Sequence, residues 1–269
     1  MLLPTIVSGR IVHVQPPKVL SLTLNAEEAI MFERLCSFKM SGMAEKFADQ
    51  MQDPNADLVP FLERFTEIVN HEWEIRYNKK FSKLLKEANL RYQDADLDKT
   101  IYDPARKLDT ATIERLSTCH WIDEGKNLLI TGMSSSGKTY LSNALCLSAI
   151  RQLKTVRYIR ASILMLELEQ ARLKSEYLEY VTGLSKIDLL AIDDFGLMDL
   201  DLDKCRDLFE VVDGRDGRKS TIIISQLPVK SWYDLFKEHT YADACLSRIT
   251  DRHNSYRLEM NGISMRESE

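Results

Sequence analysis

Apolar and polar residues first alternate in places, through Ile11, Val12, His13 and Val14 as far as Pro16 and Pro17, which predicts an extended arm over residues 1–25. From Ala26 to about Leu90 the spacing becomes helical: Ile30, Met31, Leu35 and Phe38 form one group, and Leu58, Phe61, Leu62, Phe65, Ile68 and Val69 another. Gly42 and the turn Asp53, Pro54, Asn55 punctuate the run, so residues 26–93 read as a small all-helical domain. On its last helix Trp73, Tyr77, Phe81, Leu84, Leu85 and Ala88 make an apolar stripe, with Arg76, Lys79, Lys80, Lys83 and Lys86 in a basic stripe beside it. That basic face is either a nucleic-acid surface or a solvated helix face.

Scattered acids and Asp103-Pro104 mark residues 94–112 as a linker, and a second domain follows over 113–269. A short helix at Ile113–Leu116 precedes strand-like segments at Asn127–Thr131, Val156–Ile159, Ile187–Ile192, Thr221–Ile224 and Ser255–Met260. Between them, helical patterns run over Lys138–Leu153, Ile163–Tyr180, Cys205–Val212 and Trp232–Phe236, with another around Ala244–Ile249. Strands alternating with helices predict an α/β fold with a parallel sheet.

The chemistry lies at the ends of these strands. Gly132, Met133, Ser134, Ser135, Ser136, Gly137, Lys138 and Thr139, followed by Tyr140, match G-x-x-x-x-G-K-[ST] between a strand and a helix. In a P-loop the backbone N–H groups and the helix N-terminus face phosphates, the lysine reaches the β- and γ-phosphates and the threonine hydroxyl binds Mg2+. The motif therefore predicts an ATP·Mg2+ site. The next requirement is a carboxylate at the end of a neighbouring strand, and Ile187–Asp194 supplies it, with Asp193 on the metal side and Asp194 placed to orient water. Gln226 or Ser225, after the following strand, could sense the γ-phosphate, and Arg248 is either a residue completing a neighbouring subunit's site or a surface arginine. Asp199, Asp201, Asp203 and Glu210 have the spacing of a calcium loop, but Lys204 stands where that loop requires glycine, so calcium is rejected.

Composition constrains the partners. The 36 basic and 41 acidic residues leave a net charge of -5, so nucleic acid must be held by local patches, not by overall charge. Five cysteines with no Cys-x-x-Cys pair argue for a reducing, cytoplasmic setting without zinc or a disulfide framework. There is no apolar run long enough to cross a membrane and no secretion signal.

The P-loop, the segment ending at Gly196, Ser225-Gln226-Leu227-Pro228, and the stretch from Leu246 through Arg248 and Leu258 to Gly262 and Arg266 together resemble the IstB-like transposition helper ATPases. These belong with the DnaC and DnaA group of AAA+ proteins. Lys39–Ala44, Glu72–Glu74 and Cys119–Ile122 extend the resemblance to residues 26–266. It implies an AAA+ sheet of strand order 5-1-4-3-2 and a bacterial homo-oligomer with ATP at its subunit interfaces. It also implies assembly on duplex DNA with little sequence preference, remodelling of that DNA, and stimulation of the transposase of the same element. By position, Lys138 and Thr139 match Walker A, Asp193 and Asp194 Walker B, Gln226 the sensor, Arg248 the arginine finger and Arg266 a second sensor. The helix over Ile163–Tyr180 would line the DNA path, with Arg172 and Lys174 as phosphate contacts. Two features depart from the usual pattern: Asp194 replaces the glutamate usual in AAA+ proteins generally, which implies slow hydrolysis, and the arm precedes the family's usual start. The alternatives are a DnaC-like helicase loader and a non-hydrolysing ATP switch.

Overall fold

The computed structural model describes residues 3–7, 10–14, 24–100 and 108–260, with side chains from residue 24 onward. The chain divides into two compact units, Met1–Ser82 and Lys83–Glu269.

In the first unit, strands β1 (Leu3–Val7) and β2 (Arg10–Val14) pair antiparallel, so this part of the arm is paired as well as extended. Helix α1 (Ala26–Ser37) starts at a capping box: Asn25 Oδ1 accepts the N–H groups of Glu27 and Glu28, and Glu28 Oε2 accepts that of Asn25. Helix α2 (Ser41–Gln52) is followed by the long α3 (Phe61–Ala88). The segments around Gly42 and Glu72 meet where α2 begins. Glu72 Oε2 accepts the N–H groups of Gly42 at 2.7 Å and Met43 at 3.1 Å, satisfying donors that a helix start leaves open. A Cβ on Gly42 would lie 2.7 Å from Ile75 Cδ1 and 3.1 Å from the Glu72 Cα, so a larger residue there would displace the Ile75 side chain and press on α3. Arg76 donates to Glu72 and to the Lys39 carbonyl, so this member of the expected basic stripe is engaged in holding the unit together.

The division falls inside α3, ahead of the expected boundary at residue 93, because the residues that follow α3 pack with the second unit. Leu90 is buried, and Tyr92 N–H donates to Asn143 Oδ1 at 3.0 Å.

In the second unit, α4 (Thr110–Ser117), capped by Asp109, and the short α5 (His120–Asp123) lead into β3 (Asn127–Gly132). There follow α6 (Lys138–Arg151), β4 (Val156–Arg160), α7 (Ala161–Leu173), α8 (Tyr177–Lys186), β5 (Leu189–Phe195), α9 (Leu202–Asp213), β6 (Ser220–Ser225), α10 (His239–Thr250) and β7 (Ser255–Met260). The sheet is parallel, with order β4-β5-β6-β3-β7. Counted from β3, this is the expected 5-1-4-3-2. Leu128, Leu129 and Ile130, with Leu189–Ile192 and Ile222–Ile224, are fully buried, as central parallel strands covered on both faces require.

Two expected helices differ. The pattern over Ile163–Tyr180 is two helices, broken where Ser175 takes a left-handed conformation with φ 63°. The segment Trp232–Phe236 contains no α-helix, only single 3-10 turns at Val229–Ser231 and Tyr233–Leu235. There Trp232 is fully buried, edge-on to Phe195, with its indole N–H donating to the Leu227 carbonyl. Burial of one large side chain, not helical periodicity, spaces the apolar residues of that segment.

Candidate nucleotide-binding site

The end of β3, the loop after it and the start of α6 form the floor of a cavity of about 540 Å³. The loop turns through three positive-φ residues, Gly132 (147°), Ser135 (62°) and Gly137 (87°). A Cβ on Gly132 would stand 1.9 Å from the Met260 carbonyl oxygen, so β7 also excludes a side chain there. Ser134, Ser135, Gly137, Lys138, Thr139 and Tyr140 line the cavity, as do Asp193, Asp194, Ser225 and Gln226 from the ends of β5 and β6. Met133 is 66% exposed, and Ser136 is buried behind the loop.

Lys138 is buried, and its ammonium donates to the carbonyls of Gly132 (2.8 Å) and Met133 (2.7 Å). Burial lowers its pKa, opposed by the nearby charges of Asp193 and Asp194. Asp193 is also buried, and both of its oxygens are used. Oδ2 accepts the Thr139 hydroxyl at 2.8 Å and the Tyr158 hydroxyl at 2.5 Å, while Oδ1 accepts the Asp194 N–H at 2.7 Å. Burial pushes the Tyr158 phenol well up, and donation to Asp193 adds to the rise. A hydroxyl and a carboxylate in contact beside a phosphate-shaped loop are the hard oxygen donors that could take Mg2+ together with phosphate oxygens. Asp194 has φ 56°. Its carboxyl is pushed up by burial and then by Asp193, against the opposing charges of Arg160, Arg91 and Lys138.

Of the two candidates after β6, Ser225 donates its hydroxyl to the Phe195 carbonyl and accepts the Leu227 N–H, whereas Gln226 is exposed on the cavity wall. Arg248, in the last turn of α10, is held within its own chain. It donates to Asp213 Oδ1 and to the Ala244 carbonyl, each at 2.8 Å, over the ring of Phe209. Arg266 lies outside the described residues.

The expected DNA contacts separate into two groups. Lys79, Lys80, Lys83 and Lys86 are exposed along α3, and Lys174 is exposed at the end of α7. Arg172 instead pairs with the buried carboxylate of Asp207 and lies over the Tyr177 ring, whose hydroxyl donates to the same Asp207 oxygen. This three-residue contact ties α7, α8 and α9 together, in place of the free phosphate contact that the resemblance implies. The calcium-like acids belong to a helix start, where Asp201 Oδ1 accepts the Lys204 N–H at the N-cap of α9.

Two parts of the site escaped the sequence reading. Tyr158 carried a signal: a tyrosine within a doubly covered strand must place its hydroxyl on a partner. The segment after α3, which the expected boundaries divide between the helical domain (to residue 93) and the linker (94–112), contributes Arg91, Tyr92, Lys99 and Thr100 to the cavity wall. It is fastened by Asp96 N–H to the Tyr140 hydroxyl at 3.1 Å. Thr100 is buried, and among the described residues its hydroxyl has no hydrogen-bond partner, an opening that a ligand in the cavity could fill.

The chain has counterparts in solved structures. The DnaC helicase loader aligns with a TM-score of 0.52 at 18% identity, covering 64% of this chain and 99% of that one. AMPPCP-bound DnaA from Aquifex aeolicus aligns with a TM-score of 0.52, also at 18% identity, over 65% of this chain and 51% of that one. At such identities the likeness shows the AAA+ fold alone. Sequence relatives are nearer. A protein of Sinorhizobium fredii named as an insertion sequence ATP-binding protein is 35% identical over 237 residues, 88% of this chain and 96% of its own length. One named for insertion sequence IS1162 of Pseudomonas fluorescens is 34% identical over 195 residues, 72% of this chain and 84% of its own. The family described as IstB-like ATP binding protein matches residues 33–269, a span that takes in the P-loop, the Asp193–Thr139 contact and most of the helical unit. By that match and by the loop it contains, the chain belongs to the IstB-like ATP-binding proteins.

Proposed function

We propose that this protein is an AAA+ ATPase of a bacterial insertion sequence that binds ATP·Mg2+, oligomerises on duplex DNA in the cytoplasm and stimulates the transposase of the same element. The observation that carries the reading is the contact of Thr139 with Asp193 beneath a P-loop whose lysine is buried beside two carboxylates. The phosphates would be held by Lys138 and the N–H groups of the loop and first turn of α6, and the metal by Thr139 and Asp193. When bound, ATP·Mg2+ supplies the phosphoryl group and its electrophilic phosphorus. Asp194 would hold the attacking water and take up its proton, a role helped by a carboxyl whose pKa is pushed up by burial. Gln226 would orient the terminal phosphate or water from the next strand. Arg248 would serve a neighbouring subunit after exchanging Asp213 for phosphate, and Arg266 would act as a second sensor.

DNA is assigned to Lys79, Lys80, Lys83 and Lys174, joined by Lys86, with each subunit contributing weakly and the oligomer summing the contacts. Among the described residues no helix is long and apolar enough to cross a membrane. The experiment is phosphate release by the full chain with and without duplex DNA. DNA-stimulated release is expected, and it should quicken in Asp194→Glu, which restores the longer reach. No release from either protein would overturn the ATPase reading and favour a nucleotide-gated scaffold, a reading also consistent with the short Asp194 side chain.

A further inference from the structure

Arg91 stands just beyond the end of α3 and has no place in the P-loop, either carboxylate strand or the basic stripe. Its guanidinium covers the ring of Tyr92, with Cζ 5.6 Å from the centroid. Among the described residues it forms no ion pair, although this chain pairs many of its other arginines: Arg64, Arg76, Arg151, Arg157, Arg172, Arg206 and Arg248 all reach carboxylates. An unpaired guanidinium lining a cavity is available for an anion. The cavity it lines is the one walled by Ser134, Lys138, Asp193 and Asp194.

Its place within that cavity can be narrowed. Arg91 lines it together with Asp194 and with Asp193, the carboxylate whose contact with Thr139 marks where the metal and the terminal phosphates would sit. The backbone beside Arg91 is also registered to the same threonine. Tyr92 N–H donates to Asn143 Oδ1 (3.0 Å), and Asn143 Nδ2 donates to the Thr139 carbonyl (2.9 Å), with Asn143 fully buried. Two amide hydrogen bonds thus connect the segment after α3 to the first turn of the P-loop helix.

We propose that Arg91 is a phosphate-contacting residue acting within its own subunit: its guanidinium binds the terminal phosphate of a nucleoside triphosphate, so the site distinguishes ATP from ADP through the segment that follows α3. The proposal rests on the ATP-binding reading above. A cation set at the γ-phosphate end contributes to triphosphate binding and little to diphosphate binding. It also makes the segment after α3, and not only the strands of the sheet, responsive to the loss of that phosphate.

The test is equilibrium binding of a non-hydrolysable ATP analogue and of ADP, each with Mg2+, to the full chain and to Arg91→Ala and Arg91→Lys. Arg91→Ala should weaken the triphosphate by about tenfold while changing ADP by less than about twofold, as expected for one charge-assisted contact. Arg91→Lys, which keeps the charge and loses the bidentate geometry, should fall between the two proteins. Equal weakening of both nucleotides, or no weakening of either, would overturn the role of Arg91 while leaving ATP binding intact. Failure of the unaltered chain to bind either nucleotide would overturn both readings together. Because the Arg91 side chain is exposed, Ala should leave the melting temperature unchanged; a lowered melting temperature with an unchanged ATP-to-ADP ratio would show a structural role and also overturn the proposal.

Discussion

The two units bury their apolar side chains to different degrees. In the second, the central strands are sealed on both faces, and even its charged interior is satisfied: Arg215, 1% exposed, donates to the carbonyls of Leu184, Ile187 and Ser220 and to the Thr221 hydroxyl. In the first, Leu58 is 82% exposed, Phe61 73%, Leu62 74% and Trp73 62%, and helix α1 has no buried residue. Aromatic rings there stack along one helix, Phe61 on Phe65 and Trp73 on Tyr77, without being covered. A unit that completes its own core can hold a chemical site to tenths of an ångström. The helical unit depends on a few polar ties such as Glu72, so disturbance should affect the two very differently.

The largest effect is expected where the second unit is most closely ordered. Lys138→Ala removes the only P-loop cation while leaving behind two backbone carbonyls that water can reach through the cavity. Phosphate release should fall by about a hundredfold to a thousandfold with the melting temperature of the second unit preserved, checked by steady-state phosphate assay and calorimetry. In the first unit the sensitive point is structural. Glu72→Ala leaves the N–H groups of Gly42 and Met43 without their acceptor and takes one of the two acceptors of Arg76, which should cost about 2 kcal/mol, with nucleotide affinity unchanged.

The same carboxylate sets a pH window. Burial alone would raise the Glu72 pKa, but the bonds from Arg76, Met43 and Gly42 outweigh it and hold the carboxyl below its ordinary value. A depressed carboxylate contributes stability above the ordinary range and loses it as the pH falls through the lowered pKa. The first unit should therefore loosen below about pH 4, and Glu72→Gln should flatten that dependence in a circular dichroism titration. A smaller effect is expected at Tyr158. Its hydroxyl donates to Asp193, and Tyr158 is not among the residues that line the cavity, so Tyr158→Phe should raise the Mg2+ concentration needed for nucleotide binding by about tenfold and leave metal-free binding unaltered.

Legibility in the sequence followed the same division. The P-loop and the paired acids are written in contiguous segments whose spacing has one structural solution, so Lys138, Thr139 and Asp193 fall together as the pattern predicts, whereas the strand order followed only from the family resemblance. What was not legible depends on partners distant in the chain. Nothing near Arg172 indicates that Asp207 will neutralise it, and nothing in the acidic stretch after Leu90 indicates that Asn143 and Tyr140 will fasten it over the loop. The break at Ser175 was hidden for a different reason. Leu173, Tyr177 and Tyr180 continue a helical spacing through it, while the backbone turns left-handed at one residue. Trp73 was misjudged in the opposite sense: it starts an apolar stripe that is buried only from Phe81 onward, because periodicity shows which residues share a face and not whether anything covers it.

The smallest effect concerns charge, and it tests whether exposure separates DNA contacts from structural cations. Lys79, Lys80 and Lys83 are exposed on α3, whereas Arg172 is already neutralised by a buried carboxylate. If the lysines meet phosphate, each replacement by alanine should weaken duplex binding several-fold at low salt and reduce the slope of log affinity against log salt by about 0.9. Arg172→Ala should leave that slope unchanged and instead destabilise the second unit, because it strands the Asp207 carboxylate among α7, α8 and α9. A slope that falls with Arg172→Ala and not with the lysines would reverse the assignment. The ion pair with Asp207 would then be a resting state exchanged for phosphate on binding, and the DNA surface would lie along α7 instead of α3.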